Sequence, residues 1–158
     1  MITRKATSAD IPEIVRVINL AYRVEDFFVN GDRTNAEDIQ RRMSQSNASI
    51  IVVDALDSTS LAGAVWMEIN DGRGHFGMLS VDPAHQGKGV AKALIEAVEK
   101  KCRDAECAFL DIEVVNLREE LPPFYTRLGF THRGVMPFAP AEKLTRDAHL
   151  MLMAKPLT

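Results

Sequence analysis

The chain has 158 residues, of which 46% are hydrophobic, and this length fits one domain, since single domains usually hold about 100–200 residues. Its 22 acidic and 19 basic residues give a formal net charge of -3 at pH 7, so no strong positive field favours nucleic acid as a partner. The sequence lacks both the run of ~18 apolar residues of a membrane span and the apolar stretch of a secretory signal; we expect a cytoplasmic protein that binds no membrane, with a single domain over residues 1–158.

The first third of the chain has the pattern of a short strand followed by two helices. Residues 2–5 fit an edge strand, and the polar residues at 7–10 before Pro12 are typical of a helix start. Apolar residues then recur at helical spacing to about Arg23. After an irregular loop at 25–32, a second helix is predicted, with Thr34-Asn35 as its cap and Ala36, Ile39 and Met43 on one face.

The middle of the chain changes to the pattern of strands. Residues 49–54 and 61–70 are predicted to pair as a hairpin through a turn at Asp57-Ser58-Thr59-Ser60. A further turn-rich segment at 70–74 precedes a third strand at 76–81. Three strands in succession imply antiparallel pairing.

The second half of the chain alternates helices with strands. The predicted elements are a helix at 90–102, a strand at 109–115, a helix at 117–128 that Gly129 ends, and closing strands at 130–135 and 149–154. A long connection at 136–146 separates the last two strands. Because a strand-helix-strand unit requires a right-handed parallel crossover, we expect an α/β fold with a mixed central sheet of six to seven strands and about four helices.

Two glycines lie close together where the third strand meets the following helix. Gly87 and Gly89 immediately precede the helix, where the first backbone amides lack intrahelical partners and the macrodipole is positive. A glycine has no Cβ to keep an anion from the backbone, and Lys88 and Lys92 add positive charge. The junction therefore predicts a phosphate site, although the two glycines alone fit a plain turn equally well.

A longer pattern around these glycines narrows the interpretation. The segment Gln86-x-x-Gly89-x-Ala91, entered from an apolar strand that ends in Asp82-Pro83, resembles the acyl-coenzyme A signature of the GNAT superfamily of N-acetyltransferases. The order of the predicted elements resembles that family along nearly the whole chain. The resemblance implies a GNAT fold with acetyl-coenzyme A as co-substrate, and no metal.

A second segment also resembles this family. Tyr125 lies on a predicted helix that ends in Leu128-Gly129-Phe130, which is the family's usual position for the residue that protonates the departing coenzyme A thiolate. A phenol with a pKa of about 10 keeps its proton at neutral pH and suits that role. Without the resemblance, a core aromatic residue would be the simpler interpretation.

The resemblance also implies how the co-substrate is held. In this family the strand before the loop splays from its parallel neighbour, which implies that the backbones of Leu79 and Val81 bind the pantetheine arm, and one of these amides is a candidate oxyanion donor. Many members carry an Asn that contacts the cofactor seven residues before the Tyr. Here that residue is Arg118, Asn116 lies two residues earlier, and both stay open as candidates for this contact. The candidate cofactor-binding residues are Leu79, Ser80, Val81, Gln86, Gly87, Lys88, Gly89, Val90, Ala91, Lys92 and Arg118.

The attacking amine arrives mostly protonated at pH 7, so some group must accept its proton, directly or through water. His75 is the candidate base because it opens the strand that leads into the glycine loop, roughly where some family members carry a base, and its ordinary pKa near 6.5 suits the task. Glu68 and Glu113 are the competing carboxylates. An exposed histidine and paired strand carboxylates are the non-catalytic alternatives.

The acceptor pocket is expected between residues 22–28 and 136–143, where Phe27 and Phe28 suggest an apolar wall. Glu25, Asp26 and Asp32 fit the attraction of a cationic substrate, but a solvated acidic loop is the simpler interpretation. Cys102 and Cys107 lie outside both motifs and are expected to be buried thiols rather than nucleophiles. The predicted function is acetyl transfer from acetyl-coenzyme A to a primary amine of a small molecule or peptide, by direct attack in a ternary complex. A non-catalytic acyl-coenzyme A-binding module is the alternative, and the protein is expected to be a monomer or homodimer.

Overall fold

A mixed sheet of seven strands forms the centre of the computed structural model, which describes residues 1–57 and 59–158. The strands lie in the order β1-β2-β3-β4-β5-β7-β6. Their bounds are β1 Thr3–Lys5, β2 Ala48–Asp54, β3 Leu61–Asn70, β4 Arg73–Val81, β5 Phe109–Val115, β6 Thr131–Pro137 and β7 His149–Pro156. The α-helices of the described residues are α1 Ile11–Ala21, α2 Ala36–Met43, α3 Val90–Asp104 and α4 Leu121–Arg127. The predicted α/β fold with a mixed sheet is confirmed.

The two faces of the sheet carry separate hydrophobic cores. Side chains alternate between the faces along a strand, so Val65 of β3 packs with Leu94 of α3 and Phe130, whereas Trp66 packs with Ile14 of α1 and Ile39 of α2. Helices α3 and α4 therefore lie over one face of the sheet, and α1 and α2 over the other.

One junction in the sheet is parallel, and it is short. Strands β4 and β5 pair in parallel through Arg73 with Phe109, Gly74 with Leu110 and His75 with Asp111, and the pairing recorded for the described residues stops there. All other neighbouring strands are antiparallel. Beyond His75 the two strands separate, which leaves a gap in the middle of the sheet.

The structure corrects the turn predicted at 70–74. Only Asp71 and Gly72 form the turn, with φ angles of 50° and 74°, because a two-residue hairpin turn with two positive φ angles matches the twist of the flanking strands. Strand β4 consequently begins at Arg73 rather than at 76. This earlier start places His75 inside the strand instead of at its opening.

The helix predicted at 117–128 also starts later, at Leu121. Pro122 and Pro123 lack the backbone N–H groups that would bond to carbonyls one turn earlier, so the helix cannot extend further toward the N-terminus. The residues before it form a turn in which the Arg118 N–H donates to the Val115 carbonyl at 3.2 Å. Arg118 therefore lies on the connection into α4.

The remaining boundaries differ by a few residues from the predictions. Asn35 caps α2 as expected, since its side-chain oxygen accepts the Asp38 N–H at 2.8 Å. The hairpin of β2 and β3 is confirmed, but the turn predicted at Asp57-Ser58-Thr59-Ser60 includes Ser58, which lies outside the described residues. Asp57 accepts the Thr59 N–H at 3.0 Å.

Candidate active site

A bulge redirects β4 where it leaves β5. Gly77 lies opposite Trp66 and Ser80 opposite Ala64, so β4 contains one residue more than β3 over this stretch, and Met78 takes a φ of 53°. Such an extra residue bends its strand and increases the local twist. The bend adds to the separation of β4 from β5.

A cleft of ≈ 980 Å³ opens between these strands. The glycine loop and the start of α3 lie at one end, and α4 and the residues 22–25 and 136–143 contribute the walls. Its volume lies in the range of about 300–1,000 Å³ that is typical of small-molecule sites. The cleft therefore brings together the two motifs and the pocket segments that the sequence predicts.

The glycine loop presents an open backbone to the cleft. Gly87 and Gly89 have φ angles of 77° and 83°, and a Cβ added at either position would meet nothing within 4 Å. Gly89 is the N-cap of α3, and its carbonyl accepts the first helical bond from the Ala93 N–H at 3.0 Å. The amides of residues 90–92 thus precede the hydrogen-bonded part of the helix and are available to an anion.

Most of the candidate cofactor-binding residues line this cleft, and two do not. The lining residues among them are Leu79, Val81, Gln86, Gly87, Gly89, Val90, Ala91, Lys92 and Arg118. Lys88 is exposed and is not among the residues that line the cleft. Ser80 is buried, and its hydroxyl donates to the Met78 carbonyl at 3.0 Å, so its side chain supports the bulge and only its backbone is left as a candidate contact.

Tyr125 is held in place by other aromatic rings. It is 7% exposed, and its ring centroid lies 5.1 Å from that of Phe124, 5.5 Å from Phe130 and 6.2 Å from Phe76. Burial raises the pKa of the Tyr125 hydroxyl above its usual value, with a smaller contribution from Tyr22, while the charge of Arg118 opposes the shift. The phenol therefore carries its proton throughout the neutral range.

The three candidates for the base form one cluster. His75 Nδ1 lies 3.1 Å from Glu68 Oε2, and its Nε2 lies 2.7 Å from Glu113 Oε2. The register of β3, β4 and β5 places all three on one face of the sheet. Only His75 and Glu113 of the three line the cleft in the described structure. Glu68 therefore contacts Nδ1 of His75 from outside the cleft lining.

The charges around His75 decide its protonation. Burial by itself lowers the pKa of a histidine, but the hydrogen bonds and negative charges of Glu113 and Glu68 outweigh burial and raise the pKa of His75 above 6.5. With a carboxylate at each ring nitrogen, the protonated form of the ring donates from both nitrogens. When the Nε2 proton leaves, its contact with Glu113 is lost and a basic nitrogen faces the cleft.

The predicted pocket segments are joined to each other. The Asn30 N–H donates to the Lys143 carbonyl at 2.9 Å, and the Thr145 N–H donates to the Phe28 carbonyl at 2.9 Å. Phe28 is fully buried, with its ring centroid 6.4 Å from that of Phe138. Phe138 lines the cleft, so the apolar wall anticipated at residues 27 and 28 is formed by a residue from the other segment.

Trp66 and Arg42 carry no sequence signal that would have identified them as cleft residues. Trp66 reads as a core residue of an apolar strand, yet it lines the cleft beneath the guanidinium of Arg42, whose Cζ is 4.8 Å from the ring centroid. Glu25 is buried, and its Oε2 lies 3.4 Å from Nη1 of Arg118 across the cleft.

Asn116 is the alternative to Arg118 as a cofactor contact. Its side-chain oxygen instead accepts the His149 N–H at 2.8 Å, which links the end of β5 to the start of β7.

The two cysteines are buried and unpaired by disulfide. Burial, assisted by Cys107, raises the pKa of the Cys102 thiol to about 12, so little thiolate exists at neutral pH. A nucleophilic role for this thiol has no support.

Among the described residues, none of the helices is long and apolar enough to cross a bilayer.

Comparisons with known proteins agree with the geometry. The family model described as an acetyltransferase (GNAT) domain matches residues 21–137. A mycothiol acetyltransferase from Propionibacterium freudenreichii subsp. shermanii is 32% identical over an alignment of 116 residues. The match covers 67% of this chain but only 37% of that protein.

Solved structures share the fold. The structure of smu.2055 from Streptococcus mutans UA159 matches 100% of both chains with a TM-score of 0.81 and 16% identity. A putative acetyltransferase from Salmonella typhimurium, yncA, was solved with its cofactor acetyl-CoA and matches 99% of this chain and 94% of its own, with a TM-score of 0.75 and 20% identity. The chain therefore belongs to the GNAT acetyltransferase family.

Proposed function

We propose that this protein transfers an acetyl group from acetyl-coenzyme A to a primary amine of a small molecule or peptide, by direct attack in a ternary complex. The observation that carries the proposal is the single cleft that connects the free helix start at Val90 with Tyr125 and His75. Family membership supports acetyl transfer, and the related yncA structure with acetyl-CoA supports the co-substrate.

The cofactor end of the cleft fits a pyrophosphate. Glycines with positive φ leave open space before the amides of residues 90–92, and the macrodipole of α3 favours negative charge there. Lys92 and Arg127 line the same cleft and add positive charge. Beyond His75, the edge of β4 that β5 has left is available to the pantetheine arm through the backbones of Leu79 and Val81.

The proton transfers are assigned to two groups on the cleft wall. Acetyl-coenzyme A supplies the thioester. The His75–Glu113 pair takes the surplus proton of the ammonium, which frees the nitrogen lone pair for attack. As the new N–C bond forms and the C–S bond breaks, Tyr125 gives its proton to the sulfur. The attacking nitrogen loses its second proton to water, and solvent later reprotonates Tyr125. Glu68 keeps the imidazole oriented by accepting from Nδ1.

An amine panel tests the proposed function. The protein is incubated with acetyl-coenzyme A and polyamines, amino acids, amino sugars or short peptides, and release of free thiol is followed. We expect at least one primary amine to accelerate thiol release, with a matching N-acetyl product by mass spectrometry. The matched control replaces each amine with its alcohol analogue. Coenzyme A binding without amine-dependent thiol release from a broad panel would instead favour a non-catalytic binding module.

The raised pKa of His75 predicts the acid side of the pH profile. Because the ring keeps its proton to a higher pH than a free histidine, kcat/KM is expected to fall as pH decreases through a midpoint above 6.5. Glu113 raises the pKa of His75 more than Glu68 does. The Glu113→Gln variant should therefore lower the pKa of His75. NMR titration of the histidine ring signals measures the pKa of His75, and the signals that are missing in His75→Gln identify this residue.

The matched comparison for this prediction is Glu68→Gln, which removes the longer of the two contacts. It should lower the pKa of His75 by less than Glu113→Gln does, since the Glu68 contact is 3.1 Å against 2.7 Å for Glu113. A His75 pKa at or below 6.5 in the wild-type protein would contradict the cluster described above.

A further inference from the structure

Glu25 is a buried carboxylate on the acceptor side of the cleft. It ends the short 3-10 helix Tyr22–Glu25 that follows α1, and it is 8% exposed. Burial raises the pKa of Glu25, and the positive charge of Arg118 opposes that shift. A carboxylate in such a position costs free energy unless an opposite charge compensates for it. An opposite charge near the Glu25 carboxylate is therefore expected.

The compensating charge comes from the opposite wall. Arg118 Nη1 donates to Glu25 Oε2 at 3.4 Å across 93 residues of sequence. The backbone of Arg118 is fixed in the turn before α4, where its carbonyl accepts the Leu121 N–H at 3.1 Å. The ion pair consequently joins the turn after α1 to the helix that carries Tyr125.

A second carboxylate competes for the same guanidinium. Arg118 Nε donates to Glu120 Oε2, also at 3.4 Å, but the Glu120 side chain is 59% exposed and that of Glu25 is 11% exposed. Exposed ion pairs contribute little because water screens them. Both carboxylates line the cleft, but only the Glu25 side chain is buried and screened little from the charge of Arg118.

Arg118 and Tyr125 line the same cleft, with Arg118 in the turn before α4 and Tyr125 on that helix. Burial and the neighbouring Tyr22 raise the pKa of Tyr125, and the positive charge of Arg118 opposes that rise. Arg33 also faces this region, with its Cζ 5.2 Å from the centroid of the Tyr22 ring. A positive charge at this place favours the phenolate form of Tyr125 over the phenol.

We propose that Glu25 is a positioning residue for acetyl transfer, which holds the Arg118 guanidinium inside the cleft so that its charge stabilises the phenolate of Tyr125. The inference rests on the proposed function. When the C–S bond breaks, the electron pair stays on sulfur, the proton of the Tyr125 hydroxyl moves to that sulfur, and the phenol oxygen becomes negative. Arg118 faces this charge until solvent returns a proton.

The pairing explains why an arginine is useful where many family members have an asparagine. An asparagine is neutral and short, whereas an arginine reaches across the cleft with a permanent charge. That charge would swing toward solvent on its flexible side chain without a buried anchor. Glu25 provides the anchor at the cost of its own desolvation.

Steady-state kinetics of Glu25→Gln and Arg118→Gln, with the best amine of the panel, test the proposal. Each substitution is expected to lower kcat by roughly 10-fold, the effect of about 1.4 kcal/mol in the barrier, with the KM for the amine within about threefold of wild type. The double variant should be no slower than Arg118→Gln alone, because Glu25 acts only through Arg118. Arg118→Lys should restore part of the rate.

Glu120→Gln is the matched control, because it removes a carboxylate that contacts Arg118 at the same distance but whose own side chain is mostly exposed to water. Its kcat is expected to stay within about twofold of wild type, the scale of an exposed pair. Equal kcat in Glu25→Gln and wild type, with only a lower thermal unfolding midpoint, would show a structural tie and overturn the proposal.

A readout that needs no turnover separates this inference from the proposed function. The NMR signals of the Tyr125 ring, assigned with Tyr125→Phe, are expected to shift in Glu25→Gln and in Arg118→Gln and to stay in place in Glu120→Gln. Unchanged Tyr125 signals in the first two variants would refute the positioning role even if amine acetylation is found. Shifted signals without any acetylation would instead refute the proposed function alone.

Discussion

Tyr125→Phe is expected to lower kcat by about 10²-fold or more, the usual contribution of a general acid, while coenzyme A affinity stays within about twofold of wild type. The phenyl ring keeps the contacts with Phe76, Phe124 and Phe130, so the substitution removes a proton donor and little packing. Without that donor the sulfur must leave as a thiolate. Steady-state kinetics and calorimetry with coenzyme A measure the two quantities separately.

The same variant has an internal control in the leaving group. Acyl donors with a more acidic thiol need less help from a proton donor, so their turnover should lose less in Tyr125→Phe than that of acetyl-coenzyme A. The thermal unfolding midpoint verifies that the ring still packs. A kcat equal to wild type with acetyl-coenzyme A would remove Tyr125 as the acid.

Local patterns in the sequence were sufficient for much of the fold. The amphipathic spacing of α3 and the cap at Asn35 involve residues within a few positions of one another, and the glycine loop is read from one strand-to-helix junction. Errors appeared where a boundary depends on backbone geometry. Two positive φ angles at 71 and 72 allow a tighter turn than a run of turn-forming residues suggests.

The arrangement of the candidate site depends on contacts between distant parts of the chain. Glu68, His75 and Glu113 were separate candidates in the sequence, and strand register brings them into one cluster. A shift of one residue in either pairing would turn the side chains to the other face. The raised pKa of His75 could therefore not be predicted before the register was known.

The ion pair of Glu25 and Arg118 is a second contact between distant parts of the chain that the sequence could not predict. Acidic residues in the loop at 25–32 suggested a substrate-attracting or solvated surface, and their sequence does not separate Glu25 from Asp32. In the structure Glu25 is buried, whereas Asp32 is exposed and pairs with Arg23 at 2.8 Å. Burial distinguishes Glu25 from Asp32, and Glu25 is buried where it contacts Arg118 in the turn before α4.

Gly89→Leu is expected to weaken coenzyme A binding by at least about 10²-fold, because the loss of two charge-assisted hydrogen bonds at about 1.5–3 kcal/mol each reaches that scale. The φ of 83° at Gly89 is a left-handed conformation, and the space where a Cβ would stand holds no protein atom within 4 Å. The new side chain would occupy the volume in front of the amides of residues 90–92. Calorimetric titration with coenzyme A measures the loss.

Backbone strain is the competing explanation for such a loss, and Gly72→Leu separates the two. Gly72 has a φ of 74° and likewise nothing within 4 Å of an added Cβ, but it lies in the hairpin turn before β4. Both variants bear a similar left-handed penalty, on the order of 1–2 kcal/mol, and should lose similar thermal stability. Because only Gly89 borders the helix start, coenzyme A affinity should fall in Gly89→Leu alone; equal losses in both variants, or full affinity in Gly89→Leu, would contradict the phosphate cradle.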